Sequence, residues 1–586
     1  MGQYFLVELE FKRVQTYLFA VPYLKEMIGA NTLLGETIRG VWSGKYKAFM
    51  NFSSKDLPEE KQFPKEDNYE SIDNLPALAQ NCGSVFPEVG KKLIDRVGYK
   101  ELSNIISNKK QEDKFYYKES YQDDVLEVAI NTGILVRDGG HFEAIFPDEA
   151  KATKFITLAT GLLSRKLPGL ILESRCNPLK ETEGKLELDR SYKNEVSFNS
   201  ECIFDLPQFE DCEYSGNEPA VEVIEYSDEK ENKIEMAIGE SSYAKQIAAK
   251  RFYNKNSKDV LGILNNSFIK ELSSPEELSS PDDLKEIGKF SEGHIAVIHA
   301  DGNDVGKRLR NLTKTYENVD YIDEWLGRES FFYSIRSGVR TAFLKSIKFS
   351  IKELKCVKNK KYLLMPLMLG GDDILIVTPA SIAFDFVRVL ANNIKANTSG
   401  IPSKEGEPKP LTIGAGILVC KSSFPFYKAY ELSEELATSA KKLKTVYPDH
   451  SYVDWEILSE SWHSGIAETR AKQYVSYKNG ETLLFSGKPY VISNSQKNCV
   501  TLENIIEAAK KLENDTARNQ FKYLYERIPD GRHKLKLLFD ELPNDMKKQL
   551  AKEFKDYEEM GNNTFLTRVG DLIEIMETRR RGDKIE

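Results

Sequence analysis

Three aspartates have the residue type and spacing of metal ligands. Asp301 closes the apolar run GHIAVIHAD, and Asp372 and Asp373 follow Gly370 and Gly371 inside LMLGGDDILIV. The first run reads as a strand and the second as a hairpin, because paired glycines accept the positive φ angles of tight turns. If the two lie side by side in one sheet, three carboxylates meet on one edge, where their repulsion is costly without bound cations. Hard Mg²⁺ or Mn²⁺ prefers such oxygen ligands and bridges triphosphate oxygens. The chemistry is then phosphoryl transfer with two metal ions and no covalent protein nucleophile.

The expected metal ligands are Asp301, Asp372, Asp373 and the Gly302 carbonyl. The expected nucleotide contacts are Gly302, Asn303, Gly370, Gly371 and Lys441, with Lys442 as an alternative cation. Glycines before the carboxylates let a nucleotide approach the backbone, and a lysine neutralises phosphate charge. The bland alternative is a solvated turn, since Asp and Gly dominate turns. The apolar flanks and the order of the surrounding elements weigh against it.

Those elements repeat. YFLVELE reads as a strand, VQTYLFAVPYLKEMIGANTLLGETIRGVW as one or two helices, LEVAINTGILVRDGGHFEAIFPD as two strands joined at Gly139 and Gly140, ATKFITLATGLLSRKL as a helix and GLILES as a strand. The order recurs from GHIAVIHAD through the helix DEWLGRESFFYSIRSGVRTAFLKSI, the GGDD hairpin, the helix SIAFDFVRVLANNIK and the strand LTIGAGILVC, with YKAYELSEELATSAKKLK as a closing helix. Each half is β-α-β-β-α-β, the split ferredoxin-like arrangement. The predicted fold class is α+β, with two ferredoxin-like palm domains and a helical C-terminal domain. The first palm has GGHF at 139–142 where the second has GGDD, so it is read as degenerate, and His141 as structural.

The predicted domains are a degenerate palm at 1–175 with a polar insertion at about 46–125, an irregular, partly helical connection at 176–290, an active palm at 291–465 and helices at 466–586. The connection holds ELSSPEELSSPDDLKEIG, which reads as a linker. It also holds Cys176, Cys202 and Cys212, in what looks like the remnant of a zinc ribbon; no CxxC pair exists, and zinc is not expected.

Composition narrows the class. With 40% hydrophobic and 30% charged residues, the chain reads as a multidomain globular protein. A net charge of -9 gives no global attraction to nucleic acid and leaves only local basic grooves. No apolar stretch approaches the roughly 20 residues of a membrane helix, and the N-terminus does not read as a signal peptide. The seven scattered cysteines fit a reducing compartment, and a cytoplasmic location is expected. P-loop, HExxH and His-Asp motifs are absent from the sequence.

VQTYLFAVPYLKEMIGANTLL, IAVIHADGNDVGK, LGGDD and PDHSYVDWEIL together resemble the large polymerase-like subunit of type III CRISPR effector complexes, the Cas-ten family and especially its Cmr branch. The resemblance implies two palms with the second active and Asp301, Asp372 and Asp373 as metal ligands. It further implies ATP as substrate, a cyclic oligoadenylate or an S-adenosylmethionine conjugate as product, and activation by guide RNA paired to target RNA among the other type III subunits. The family's HD nuclease domain is not found in the sequence. A free-standing GGDEF-like cyclase and a non-catalytic ribonucleoprotein scaffold are the competing readings.

Overall fold

The computed structural model describes residues 3–19, 21, 24–43, 48–50, 72–94, 125–138, 140–190, 195–199, 210–213, 215–216, 218–227, 233–252, 281, 283–314, 320–358, 361–401, 408–458, 465–471, 473–477, 480–493, 499–512, 515–549 and 557–582. The chain forms two compact units, Met1–Phe268 with Gly306–Ser334, and Ile269–Val305 with Ile335–Glu586.

In the first unit, β1 (Gln3–Lys12), α1 (Leu24–Arg39), β2 (Ile134–Asp138), β3 (His141–Phe146), α2 (Glu149–Lys166) and β4 (Ile171–Thr182) follow in order. The strands line up β2-β3-β1-β4. Leu9 and Phe11 of β1 are buried while Glu8, Glu10 and Lys12 are only partly so, the period-two pattern of a strand with one wet face. Helix α2 packs on β1, β3 and β4. Asp148 caps it through the Lys151 amide at 2.8 Å, with Glu149 in its first turn and Arg165 and Lys166 in its last, as the helix dipole favours.

Three expectations for this unit need correction. The strand beginning at GLILES runs on to Thr182, pairing with β1 as far as Lys180, so a boundary at 175 cuts through the sheet. Its second half looks irregular in sequence because Asn177 and Pro178 interrupt the apolar pattern. The segment 176–290 is also richer in strands than expected, with a hairpin at Ala220–Ser227 and Lys233–Gly239. LEVAINT is a helix, Val125–Thr132, and only the residues after Gly133 form the hairpin. Within the polar stretch 46–125, short helices at Leu75–Asn81 and Glu88–Ile94 are ordered, and Phe86 between them packs on the buried Trp325 with ring centroids 6.1 Å apart. A few apolar side chains anchor a stretch whose mean composition is polar. Cys176 is buried in β4 and Cys212 is buried beyond it; Cys202 and Gly139 lie outside the described residues.

The second unit repeats the topology with β5 (His294–Gly302), α3 (Tyr321–Glu353), β6 (Met365–Gly370), β7 (Asp373–Pro379), α4 (Ala383–Asn397) and β8 (Ile413–Lys421), of which α3 begins in the first unit. The strand order β6-β7-β5-β8 matches that of the first sheet position for position. The inferred duplication is therefore present in the connectivity. Two further elements extend it: α5 (Phe426–Ala440), and β9 (Tyr452–Ile457), which runs parallel to β8. Every residue from Ile295 to Ala300 is buried, because helices α4 and α5 both pack on this sheet. That double burial is why β5 reads as a continuous apolar run where β1 alternates.

Beyond 466 the described residues are largely helical, with α6 (Leu502–Lys511) and α7 (Val569–Arg580) among their helices, and Asp385 of α4 binds Arg579 of α7 and, at 3.1 Å, Lys510 of α6. The region is not purely helical. Tyr474–Ser476, Thr482–Leu484, Thr564–Leu566 and Glu558–Gly561 form a four-stranded sheet, too short and polar to register as a sequence pattern. No helix among the described residues is long and apolar enough to cross a membrane.

Candidate active site

Antiparallel pairing places Ala300 opposite Ile374, which sets Asp301 opposite Asp373 one residue further on. Gly370 pairs with Asp373 across the hairpin, leaving Gly371 and Asp372 as a two-residue turn. Gly371 takes a φ of 63°, which glycine adopts without steric cost. A Cβ at Gly370 or Gly371 would meet nothing within 4 Å, so the backbone of the turn is open to an approaching group. Gly302 is the reverse case: a Cβ there would stand 2.8 Å from Asp372 Cβ and Oδ2. The absence of a side chain at 302 is what lets Asp372 lie against the end of β5.

The protein's own cations face this acidic edge. Lys441, at the junction of α5 with a short 3₁₀ turn, donates to Asp301 Oδ2 and sits 3.5 Å from the Gly302 carbonyl. Lys444, rather than Lys442, reaches the next acid, Asp304. On the other side, His299 Nε2 is 2.7 Å from Asp373 Oδ1. Burial disfavours the charged form of His299, but its hydrogen bond to Asp373 and the charges of Asp373, Glu434 and Asp301 prevail and raise its pKa. Asp372 is pushed up to about 7, first by burial and then by the charges of Asp301 and Asp373.

Among the described residues, no group of three or more His, Cys, Asp or Glu is arranged to hold a metal ion. Asp301 is turned to Lys441 and Asp373 to His299. The donor set still fits a hard divalent cation in type, since carboxylate and carbonyl oxygens are its ligands and Asp372 sits against like charge that such an ion would neutralise. Asn303 differs from expectation. It is 4% exposed, and its side-chain amide donates to Thr412 Oγ1 at 2.9 Å and the His450 carbonyl at 3.3 Å. Its side chain faces inward and fixes the end of β5 rather than presenting itself to a nucleotide.

His299 is the residue the motif reading passed over. The available signal was positional: it lies two residues before Asp301, hence on the same face of the strand.

The register also corrects the comparison of GGHF with GGDD. In the first sheet Asp138 pairs with His141 across the turn, as Gly370 pairs with Asp373 in the second. His141 therefore matches Asp373, and Gly140 matches Asp372, one residue off the alignment of the glycine pairs. Glu10 pairs with His141 and occupies the place of Asp301. The first palm thus retains one carboxylate of three, and Lys12 neutralises it at 2.5 Å, holding the Glu10 carboxyl below its ordinary pKa.

A βαββαβ sheet with three aspartates on one edge belongs to the palm class of domains. Residues 294–446 match the family model described as "Cas10/Cmr2, second palm domain". Over those residues the chain is similar to that palm, in keeping with the resemblance seen in IAVIHADGNDVGK and LGGDD. Among solved structures, the Csm1-Csm4 cassette in complex with AMPPNP is similar at 11% identity over 99% of this chain and 70% of that chain, with a TM-score of 0.41. The cassette in complex with cA4 gives 11% identity, 98% and 70% coverage and a TM-score of 0.39. The apo cassette gives 13% identity and a TM-score of 0.35, and this chain spans 53% of its length. No curated protein matches the sequence.

Proposed function

We propose that this chain is the nucleotidyltransferase subunit of a type III CRISPR complex, converting ATP to an adenylate second messenger when the complex holds guide RNA paired to target RNA. The observation that carries the reading is the convergence of Asp301, Asp372 and Asp373 at one edge of a Cas10/Cmr2 palm. Asp301, Asp372, Asp373 and the Gly302 carbonyl would hold Mg²⁺ or Mn²⁺. Bound there, two such ions would activate the attacking hydroxyl and stabilise the leaving pyrophosphate. The open backbone at Gly370 and Gly371 gives the nucleotide room, and the Lys441 ammonium is close enough to meet its phosphates. The product is a cyclic oligoadenylate or an ATP conjugate with S-adenosylmethionine, and the other type III subunits are the partners.

The test incubates the assembled complex with labelled ATP or GTP and Mn²⁺, with and without target RNA and S-adenosylmethionine. RNA-dependent products from ATP support the proposal, and the S-adenosylmethionine arm separates the two products. Turnover of GTP alone, independent of RNA, would replace it with a free-standing cyclase; no turnover in any arm would replace it with a scaffold.

His299 is expected to act as a positioning residue that holds Asp373. His299→Ala should weaken Mn²⁺ binding roughly 10–100-fold, the usual effect of losing a hydrogen-bond partner of a ligand. Electron paramagnetic resonance of free Mn²⁺ reads this directly, and unchanged affinity would remove His299 from the site.

A further inference from the structure

Lys441 leaves the end of α5 and reaches Asp301 on β5, and β8 lies between them in the sheet. Register sets Asp301 opposite Gly414 and His299 opposite Gly416, so both glycines share the face of the acidic site. A Cβ at Gly414 would stand 2.5 Å from Lys441 Cγ and 2.9 Å from its Cε, and 3.2 Å from the Ala437 carbonyl. The lysine stem therefore occupies the space a side chain at 414 would fill. Gly416 has another role. Its Cβ would stand 2.1 Å from the Ser433 carbonyl and 2.6 Å from the Ala437 amide, so it admits the backbone of α5 itself.

We infer that Gly414 is a positioning residue for the nucleotidyltransferase site: its bare Cα is the slot that lays Lys441 across β8 and delivers the ammonium to Asp301. The inference rests on the proposed function for the meaning of that delivery. The first palm supports it by contrast. There Glu10 pairs with Glu173 as Asp301 pairs with Gly414, and a side chain fills the slot. Its Glu10 is met at 2.5 Å by Lys12 of its own strand and, at 3.7 and 3.8 Å, by Arg175 of β4 and His141 of β3, all from within the sheet.

The chemistry predicts different outcomes at the two glycines. The atoms in the way at 414 are mainly those of the Lys441 stem from Cγ outward, with the Ala437 carbonyl at 3.2 Å, so in Gly414→Ala Lys441 must turn at its own Cβ and swing off Asp301. The atoms in the way at 416 are backbone, so Gly416→Ala must move α5 and lowers thermal stability. In the assembled, RNA-loaded complex, Gly414→Ala should lower kcat/KM for ATP roughly 10–100-fold, as misplacement of a charge by about 1 Å does. Lys441→Ala should match it, and Gly414→Ala/Lys441→Ala should lose no more than Lys441→Ala alone.

The readout independent of turnover is Mn²⁺ affinity. With the ammonium gone from Asp301, Gly414→Ala and Lys441→Ala should both bind Mn²⁺ more tightly than the parent, by equal factors, while melting within a few degrees of it. Multiplicative losses in the double variant, or a Gly414→Ala protein with parental kcat/KM and Mn²⁺ affinity, would overturn the inference. A parent complex that binds Mn²⁺ but turns over no nucleotide would instead overturn the proposed function, and the Mn²⁺ comparison would still decide the role of Gly414.

Discussion

In the RNA-loaded complex of the proposed function, Asp372→Ala/Asp373→Ala is expected to lower ATP turnover about a thousandfold or more. Metal ions at transferring phosphates supply several kcal/mol of transition-state stabilisation, and each 1.36 kcal/mol is about tenfold in rate. Asp372→Ala alone should leave the melting temperature unchanged or raise it, whereas Asp373→Ala also strips the hydrogen-bond partner of the buried His299 and should lower it. Asp372 is buried and held against the charges of Asp301 and Asp373, which outweigh the opposing charge of Lys441, so its carboxyl rises to about 7. Removing it relieves repulsion, so stability and activity move in opposite directions. Scanning calorimetry beside a labelled-ATP assay checks both signs. Retained turnover would refute the assignment of these aspartates, and lost turnover with a marked fall in the melting temperature of Asp372→Ala would show that Asp372 holds the fold instead.

The site was legible in sequence to the extent that it depends on strand ends and turn chemistry. Asp301, Asp372 and Asp373 fall at the edge that the split sheet requires, because position in a hairpin follows from the glycines that make its turn. The strand order of both sheets followed from the repeated element order, since a β-α-β-β-α-β chain has few unknotted ways to form one sheet. What depends on side-chain direction was not legible. Asn303 looks like a ligand-facing amide between Gly302 and Asp304, yet it satisfies Thr412 and His450 inside the fold. His299 looks like an oddity in an apolar strand, yet it holds Asp373.

Register was the other hidden quantity. GGHF and GGDD align by eye on their glycines, but the hairpins align on Asp138–His141 and Gly370–Asp373, which shifts the comparison by one residue. Only cross-strand pairing reveals that Glu10 stands where Asp301 does. The short strands after 466 were illegible for a related reason: three or four residues contain too little alternation to separate a strand from a loop.

The second large effect is expected at Asp385, which is 1% exposed and carries its charge into the interior of α4. Burial opposes its ionisation, but Arg579, Lys510 and Arg388 prevail and hold its carboxyl below the ordinary value. Asp385→Asn keeps the shape and removes the anion that Arg579 and Lys510 share, while Arg388 keeps Glu503 at 3.4 Å. Breaking a buried charge cluster in this way costs about 3–5 kcal/mol, and the partly exposed Lys510 contributes least of the three. The loss should appear as faster hydrogen exchange in α7, whose Arg579 is tied to α4 through this carboxylate. The dependence on pH has a definite sign. A carboxyl with a lowered folded pKa stabilises fully above its unfolded value, about 3.9, and loses that contribution as pH falls through the folded value. The parent should therefore lose protection in α7 on acidification below about pH 4, while Asp385→Asn, already without it, should show a flatter acid limb. Equal protection in the two proteins at pH 7 would show that apolar packing alone holds α7 to the palm.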